Sequence, residues 1–392
     1  MLRHPASALF RAGVIACGLL ALAPGCSDPL TEETAPRGSF DLTDILIRDT
    51  TIQASGSSMF RQYLPMNGRV NLLGGAESAR ALMLIQFYPS FFPNRDTITV
   101  LSARLRLRAV TWTGTGNLTF TVHKVTSAWS QTAARWDSLP SYEEAVVRGT
   151  GSVGTAPDTQ QVWIPLDTAL VREWLRPATF TQYGVILVPG AGSTLIRGFH
   201  SFDYDSTGFY PALEVIARGS SGGVTDTALY FRGIDTFVGN VDPPPSAPGL
   251  FFVQAGVAWR AALQFDLSFI PEGATVHSSR LELFWDRAAS AVNRFSADTA
   301  VIGYVIRSAT DPKNFSSQGT TGEPADSAFV FDLRNAAQSW VNRPNYGLLL
   351  RHGSYTEFSS FDRYAFFGHD APTARLRPSL RLRYSTERRA GS

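Results

Sequence analysis

Three arginines alternate along one short segment, and their spacing suggests where a ligand could bind. Arg104, Arg106 and Arg108 are separated by apolar residues in the stretch VLSARLRLR, and Trp112 continues the same parity. Alternate side chains of a β-strand lie on one face, so we expect the arginines to share an outer face. Guanidinium groups pair with carboxylates through two parallel hydrogen bonds, and an aromatic face suits a sugar ring. The pattern predicts a site for acidic sugars.

A purely structural role would explain the same arginines. Charged residues on a solvated strand face keep sheets from pairing edge to edge. The chain contains only two lysines, Lys124 and Lys313, so arginine is simply its usual basic residue. Arg381 and Arg383 repeat the spacing near the end of the chain. From the residues alone, both interpretations stay open.

Other reactive groupings are sparse. The sequence has no H-E-x-x-H, no G-x-S-x-G and no Gly-rich phosphate loop followed by a helix, and its six histidines are scattered. Glu143 and Glu144 are neighbours in a loop-like stretch, which is typical of a solvated turn. We therefore expect a protein that is not an enzyme.

One acidic pair could bind a metal ion. Asp203 and Asp205, in the stretch FDYD, could supply oxygen ligands to calcium. Two carboxylates make an incomplete calcium site, so the sequence predicts no cofactor other than this calcium ion.

These residues belong to a chain that repeats itself. The stretch LIQFYPSFFP at 84–93 matches ALQFDLSFIP at 262–271. Further matches follow in the same order, among them ARLRL with SRLEL, YGVIL with YGLLL, and YPALEV with RPSLRL. With 392 residues, the chain is long enough for two domains. The repeat predicts one domain at 41–218 and a divergent copy at 224–386, joined by a linker at 219–223 and followed by a tail at 387–392.

The alternation of apolar and polar residues predicts an all-β fold. Leu118, Phe120 and Val122 alternate with polar residues, as expected for antiparallel sheets with one buried face. One segment of each copy instead has helical spacing, at 166–175 and 333–341, and each contains a tryptophan. We predict two tandem antiparallel jelly-roll-like β-sandwiches, each with one short Trp-containing helix. Trp174 and Trp340 are expected in the cores, and Asp332 as an N-cap.

The first residues have the pattern of an export signal. A basic start with Arg3 and Arg11 precedes an apolar stretch and the sequence LAPGC. This pattern predicts a signal peptide at 1–25, lipidation of Cys26 and a polar tether at 26–40. The alternatives are lipidation at Cys17, or a secretory signal cut near Gly25 that leaves Cys26 as a free thiol. Ser27 favours an outer-membrane lipoprotein, facing the periplasm or the cell surface, with the lipid as its only attachment to the membrane.

The charge of the exported part excludes several partners. Of the 35 basic residues, Arg3 and Arg11 would be removed, which leaves 33 against 33 acidic residues. A neutral protein gives no global electrostatic reason to bind nucleic acid or an anionic membrane surface. Both cysteines lie in the N-terminal segment, so the body has no disulfide.

The order of these motifs resembles the DNRLRE domain, also called carbohydrate-binding module family 96. The family's diagnostic segment maps onto Lys124, Val125, Thr126, Trp129, Ser130 and Trp136. Gln131 stands where the family usually has glutamate, and the second copy replaces the whole segment with IRSATDPKNFSSQG. The resemblance implies a jelly-roll-like sandwich on bacterial surfaces, often attached to polysaccharide-degrading enzymes. It also implies binding of acidic glycans such as alginate by some members.

Two functions are consistent with the sequence. One is a surface-anchored, non-catalytic pair of modules that binds extracellular or cell-wall polysaccharide. In that case Arg104, Arg106 and Arg108 would pair with uronate carboxylates, and Trp112 or Trp129 would stack on sugar rings. The other is a structural or adhesive surface protein whose sandwiches serve as spacers or contact other proteins, with Trp129 packing its own loop.

Overall fold

The computed structural model describes residues 45–88, 98–177, 179–203, 208–218, 225–230, 232–242, 247–292 and 300–387. The predicted signal peptide, Cys26, the tether, the linker at 219–223 and the tail beyond Glu387 lie outside these ranges. Within them, no helix is both long and apolar enough to cross a membrane.

The described residues form 22 β-strands, and all of their pairings are antiparallel. The first eleven are β1 (Ile45–Gln53), β2 (Gly56–Tyr63), β3 (Val70–Ala76), β4 (Ala79–Phe87), β5 (Thr99–Gly114), β6 (Asn117–Lys124), β7 (Gly149–Gly154), β8 (Gln160–Pro165), β9 (Val185–Pro189), β10 (Leu195–His200) and β11 (Ala212–Arg218). The others are β12 (Thr225–Tyr230), β13 (Gly233–Val241), β14 (Leu250–Gln254), β15 (Val257–Gln264), β16 (Thr275–Phe284), β17 (Val301–Ile306), β18 (Phe315–Ala325), β19 (Ala328–Asp332), β20 (Leu348–His352), β21 (Arg363–Phe367) and β22 (Ser379–Glu387).

The strands pair into two sandwiches, which confirms the predicted all-β sandwich fold. The first sandwich consists of β3 to β13. The second consists of β14 to β22 together with the two N-terminal strands, because β1 pairs with β22 and β2 pairs with β15. In the first sandwich, β12 and β13 occupy the equivalent places beside β11 and β4.

The boundaries of the sheets therefore differ from the predicted domain boundaries at 41–218 and 224–386. The first sandwich is one continuous segment, from the chain after β2 to the end of β13. The second is completed by residues 45–63, which precede the first in sequence. The two sequence copies supply equivalent strands, so the repeat by itself does not decide which sheet each strand joins.

Short helices close each sandwich where the periodicity predicted them. They are α1 (Thr168–Trp174) and α2 (Arg334–Asn342), while α3 (Ser354–Glu357) is an additional single turn. Trp174 and Trp340 are buried, at 2% and 4% exposure, which confirms their core positions. The prediction for Asp332 is wrong by one residue. Leu333 is the N-cap, and Asp332 accepts a hydrogen bond from the N–H of Arg334 at 3.1 Å.

The repeated QF phrase has the same packing role in both copies. Phe87 lies 6.5 Å from Trp174 between ring centroids, and Phe265 lies 6.4 Å from Trp340. Each phenylalanine carbonyl also accepts a hydrogen bond from a side-chain amide, Gln182 in the first copy and Asn345 in the second. The repetition thus holds each helix against the end of its sandwich.

The repeated Tyr-Gly pair is explained by a close approach of two backbones. Gly184 and Gly347 have positive φ angles of 81° and 99°. A Cβ at these glycines would lie 2.0 Å from the carbonyl oxygen of Ile85 and 2.4 Å from that of Leu263. Only glycine fits both the angle and the space.

The two sandwiches share an apolar junction. The first sandwich and the connection that leads into it contribute Leu64, Met66, Leu72, Ala76, Ala81, Ile196, Phe237 and Val241, and the second contributes Val257, Ala258 and Phe361. The rings of Phe237 and Phe361 meet edge to face at 6.0 Å. This buried cluster, here called the junction cluster, couples the sandwiches because apolar area is removed from water on both sides.

The strand pairing predicts which fragment of the chain folds by itself. A fragment at 64–242 contains every strand of the first sandwich, whereas one at 41–218 lacks β12 and β13. We expect the 64–242 fragment to unfold cooperatively at a higher temperature, because its β4 and β11 edges are paired. Thermal unfolding by circular dichroism, with size-exclusion chromatography of both fragments, checks this. A higher midpoint for the 41–218 fragment would contradict the pairing.

Candidate functional site

The three arginines lie on the outer face of β5, as the alternation predicts. Leu105 and Leu107 are fully buried in the first core, so the arginines between them point outward. The strand is flanked by β11 on one side and β8 on the other. Burial of the alternate apolar residues thus fixes the direction of Arg104, Arg106 and Arg108.

A tryptophan on the neighbouring strand lies beside the arginines. Trp163 of β8 is directly opposite Arg106 in the strand register. The guanidinium carbon of Arg104 lies 4.4 Å from a Trp163 ring centroid, and that of Arg106 lies 6.0 Å away. Sequence analysis did not single out Trp163. The alternation in QQVWIP was the available signal, since Val162 and Ile164 are buried and Trp163 lies between them.

A second aromatic side chain lies next to Arg108. Its guanidinium carbon is 4.9 Å from the ring centroid of Phe209, which is 38% exposed. His200 packs edge-on against Phe209 at 5.8 Å. Burial, and secondarily the charge of Arg108, lower the pKa of His200, so this imidazole is neutral at neutral pH. No signal in the sequence linked Phe209 to β5, because the contact depends on the fold of a distant loop.

Among the described residues, only one of the three arginines has an acidic partner. Arg104 donates hydrogen bonds from Nε and Nη2 to Glu214 Oε1, at 2.9 and 2.5 Å. Among the described residues, no carboxylate lies within ion-pair distance of Arg106 or Arg108. Two guanidinium groups therefore keep an uncompensated charge beside aromatic rings. We call Arg104, Arg106, Arg108, Trp163 and Phe209 the arginine face.

The arginines on the corresponding face of the second sandwich have acidic partners. In the repeat, Arg280 matches Arg104, whereas Glu282 stands in the place of Arg106. Glu282 lies 3.6 Å from Arg280 and 3.8 Å from Arg381. Arg383 pairs with Asp49 of β1 at 2.8 Å, and this hydrogen bond lowers the pKa of that carboxyl. The two copies therefore differ in charge on the same fold, because each of these second-copy arginines has an acidic partner whereas Arg106 and Arg108 have none among the described residues.

Trp112 does not continue the arginine face, contrary to the expected parity. The register between β5 and β10 shifts, so Ala109 is opposite Phe199 but Thr111 is opposite Gly198. This bulge places Trp112 opposite Arg197. Trp112 therefore lies on the face of β5 that carries Ala109, and the three arginines lie on the other face. The Trp112 indole Nε1 donates to Asp158 Oδ1 at 3.3 Å, and the ring is 40% exposed.

Trp129 packs its own loop. Its indole Nε1 donates to the carbonyl oxygen of Tyr183 at 2.8 Å. With Trp136, it covers a small apolar cluster on β4, β9 and β13 that includes Leu82 and Val238. This placement is away from the arginine face, so the two tryptophans complete the fold there.

Only one of the two predicted calcium ligands lies in the described part of the chain. Asp203 is exposed, and Asp205 lies outside the described residues. In the part of the chain that the structure covers, no three His, Cys, Asp or Glu side chains come together as metal ligands would.

The described carboxyl group whose pKa is shifted most lies near the junction of the two sandwiches. Asp235 of β13 is 2% exposed, and burial raises its pKa to about 8. The backbone N–H of Phe202 donates to its Oδ2 at 3.0 Å, which opposes that rise only in part. Such a carboxyl is mostly protonated at neutral pH and is enclosed by protein, so its role is structural.

Comparisons with known proteins give no family assignment. The chain matches no protein-family model, and no curated protein is detectably similar to it.

The raised pKa of Asp235 predicts a pH-dependent stability. Between its ordinary value of 3.8 and about 8, the folded state binds more protons at this site than the unfolded state. The free energy of unfolding should therefore fall as the pH rises through this window, by at most about 1.4 kcal/mol per pH unit. We expect Asp235→Asn to reduce this fall, as measured by urea unfolding from pH 5 to pH 9.

Asp266→Asn is the matched control, because it removes the same charge at an exposed position. It should keep the pH dependence of the parent protein. Parallel curves for Asp235→Asn and the parent would show that Asp235 is ionised in the folded state.

Proposed function

We propose that this protein is a non-catalytic binding module for acidic polysaccharide. The observation that carries the proposal is that Arg106 and Arg108 lie on an outer face beside aromatic rings, with no acidic partner among the described residues. A cation that the fold leaves uncompensated is available to an anionic ligand, and guanidinium binds carboxylates in a bidentate manner.

The geometry suits a polymer better than a small molecule. Alternate residues of a strand are about 7 Å apart, so Arg104 to Arg108 extend over roughly 13 Å. Several sugar units of an extended chain would lie along this length, with uronate carboxylates near the guanidinium groups. Trp163 and Phe209 would offer their rings to the apolar faces of the sugars, in place of the Trp112 and Trp129 expected from sequence.

The proposal includes a location at the cell surface. Lipidation of Cys26 and the polar tether at 26–40 would hold the sandwiches at the outer membrane, where extracellular or cell-wall polysaccharide is accessible. The resemblance of the sequence to DNRLRE domains supports the same class of ligand. Attachment to the membrane would be through the lipid alone, and nucleic acid is not proposed as a partner.

A second candidate function is favoured by the other sandwich. On its equivalent face, Glu282 and Asp49 pair with the arginines, so this sandwich keeps the fold without unpaired guanidinium groups at these positions. In a structural or adhesive surface protein, both sandwiches would serve as spacers, and Arg106 and Arg108 would only keep the sheet soluble.

Removal of the uncompensated charges distinguishes the two functions. We expect Arg106→Ala with Arg108→Ala to weaken binding of alginate or polygalacturonate about tenfold or more, since two charged contacts are lost. Binding by the parent protein should also weaken as salt rises from low ionic strength, because ions screen exposed charges. Affinity electrophoresis in gels that contain each polymer measures both effects.

The matched control is Arg280→Ala with Arg381→Ala, which removes two exposed arginines from the second sandwich. These arginines already pair with Glu282, so the double variant should bind acidic polymers like the parent. Equal losses in both double variants would indicate a general charge effect. Absence of binding to every acidic polymer by the parent would favour the spacer function.

A further inference from the structure

A cleft opens where the two sandwiches meet. Its volume is about 830 Å³, whereas another cleft, beside α1, measures about 400 Å³. The junction cleft is lined by Asn67, Gly68, Arg69, Val70, Asp203, Ser354, Tyr355, Phe358 and Ser359. Sites for small ligands typically measure roughly 300–1,000 Å³, so the junction cleft is large enough for a ligand of several rings.

One wall of the junction cleft presents a tyrosine to the solvent. Tyr355 is 84% exposed, the highest value among the large hydrophobic side chains in the described ranges. It lies on α3, a single turn with no equivalent helix described in the first sandwich. Phe358 follows on the same wall, so two aromatic side chains border the opening.

The turn that carries Tyr355 is held rigidly from below. Glu357 is fully buried and accepts hydrogen bonds from Arg260 Nε and Nη2 at 2.9 and 3.1 Å. Arg351 lies 3.3 Å from the same carboxylate. Arg260 also donates to Gln62 of β2 at 2.9 Å. Buried ion pairs are costly to assemble. The network beneath α3 is therefore more elaborate than would be needed only to expose one tyrosine.

The opposite wall is the connection from β2 to β3, and it is fixed to both sandwiches. The backbone N–H of Asn67 donates to the carbonyl oxygen of Phe358 at 3.1 Å. Ser201 donates from its hydroxyl to Gly68 O at 2.6 Å and from its N–H to Arg69 O at 3.0 Å. The walls are thus preformed, which reduces the entropy lost when a ligand binds.

The lining residues indicate the chemistry of a ligand. Tyr355 and Phe358 offer aromatic faces, while Asn67, with the hydroxyls of Ser354 and Ser359, offers hydrogen bonds. Among the described lining residues, one cation, Arg69, and one anion, Asp203, balance each other in charge. A ring with apolar faces and many hydroxyl groups, and without charge, fits this combination best.

We propose that the junction cleft binds neutral oligosaccharides of hexose units, with Tyr355 stacking on a sugar ring. No residue of the arginine face lines the junction cleft, and the ligand proposed for the cleft carries no charge. The protein would therefore hold two kinds of glycan, one acidic and one neutral, at two different sites.

The test uses hexasaccharides of glucose, mannose and galactose, titrated into the full-length protein by calorimetry. We expect at least one to bind, Tyr355→Ala to weaken its binding about tenfold or more, and Tyr355→Phe to stay within about threefold of the parent. Stacking needs the ring and not the hydroxyl, which is the reason for this difference. The bound hexasaccharide should also protect Tyr355 from nitration.

Two control variants test whether the loss of neutral-oligosaccharide binding comes from the junction cleft. Phe269→Ala removes another exposed aromatic ring, 47% exposed and outside the cleft, and should leave neutral binding unchanged. Arg106→Ala with Arg108→Ala should also leave it unchanged, so a failure of acidic binding would not affect this result. The proposal is overturned if no neutral hexasaccharide binds, or if Tyr355→Ala binds one as tightly as the parent.

Discussion

The rest of the structure depends on the pairing of the two N-terminal strands with the second sandwich. All nine residues of β1 lie opposite β22, from Ile45 beside Glu387 to Gln53 beside Ser379. β2 covers the whole of β15, which is otherwise a hydrophobic edge strand. The sandwich formed by the last part of the chain is therefore complete only when the first part has joined it. Such long-range pairing ties the two ends of the described chain into one cooperative unit.

This closure also creates the region between the sandwiches. Because β2 belongs to the second sandwich and β3 to the first, the chain from Leu64 to Arg69 must cross between them. Its apolar residues enter the junction cluster, and its polar residues form one wall of the cleft. This crossing thus supplies both part of the packing between the sandwiches and side chains that a ligand would meet. Burial of Asp235 beside this crossing makes the same region sensitive to pH.

The two copies show how one fold can carry different surface chemistry. Leu105 and Leu107 of β5 correspond to Leu281 and Leu283 of β16, and all four are buried because both cores need this packing, whereas the outward positions are free to change. Glu282, in the place of an arginine, pairs with Arg280 and Arg381 and lowers the positive charge of that face. In the first copy, Arg106 keeps its charge and lies near Trp163 instead. Packing constrains only one side of each strand, so the residues on the other side can diverge between the copies.

The sequence by itself determined the features that depend on local periodicity. Alternation predicted the strands and the outward direction of Arg104, Arg106 and Arg108, and helical spacing predicted α1 and α2 with their buried tryptophans. Each of these follows from neighbouring residues sharing a face. Only the tertiary structure decided which sandwich receives β1 and β2, because the repeated copies offer equivalent partners. It also decided the bulge that turns Trp112 away, and it brought Trp163 and Phe209 beside the arginines. Those contacts join residues distant in the chain, and no local pattern encodes them.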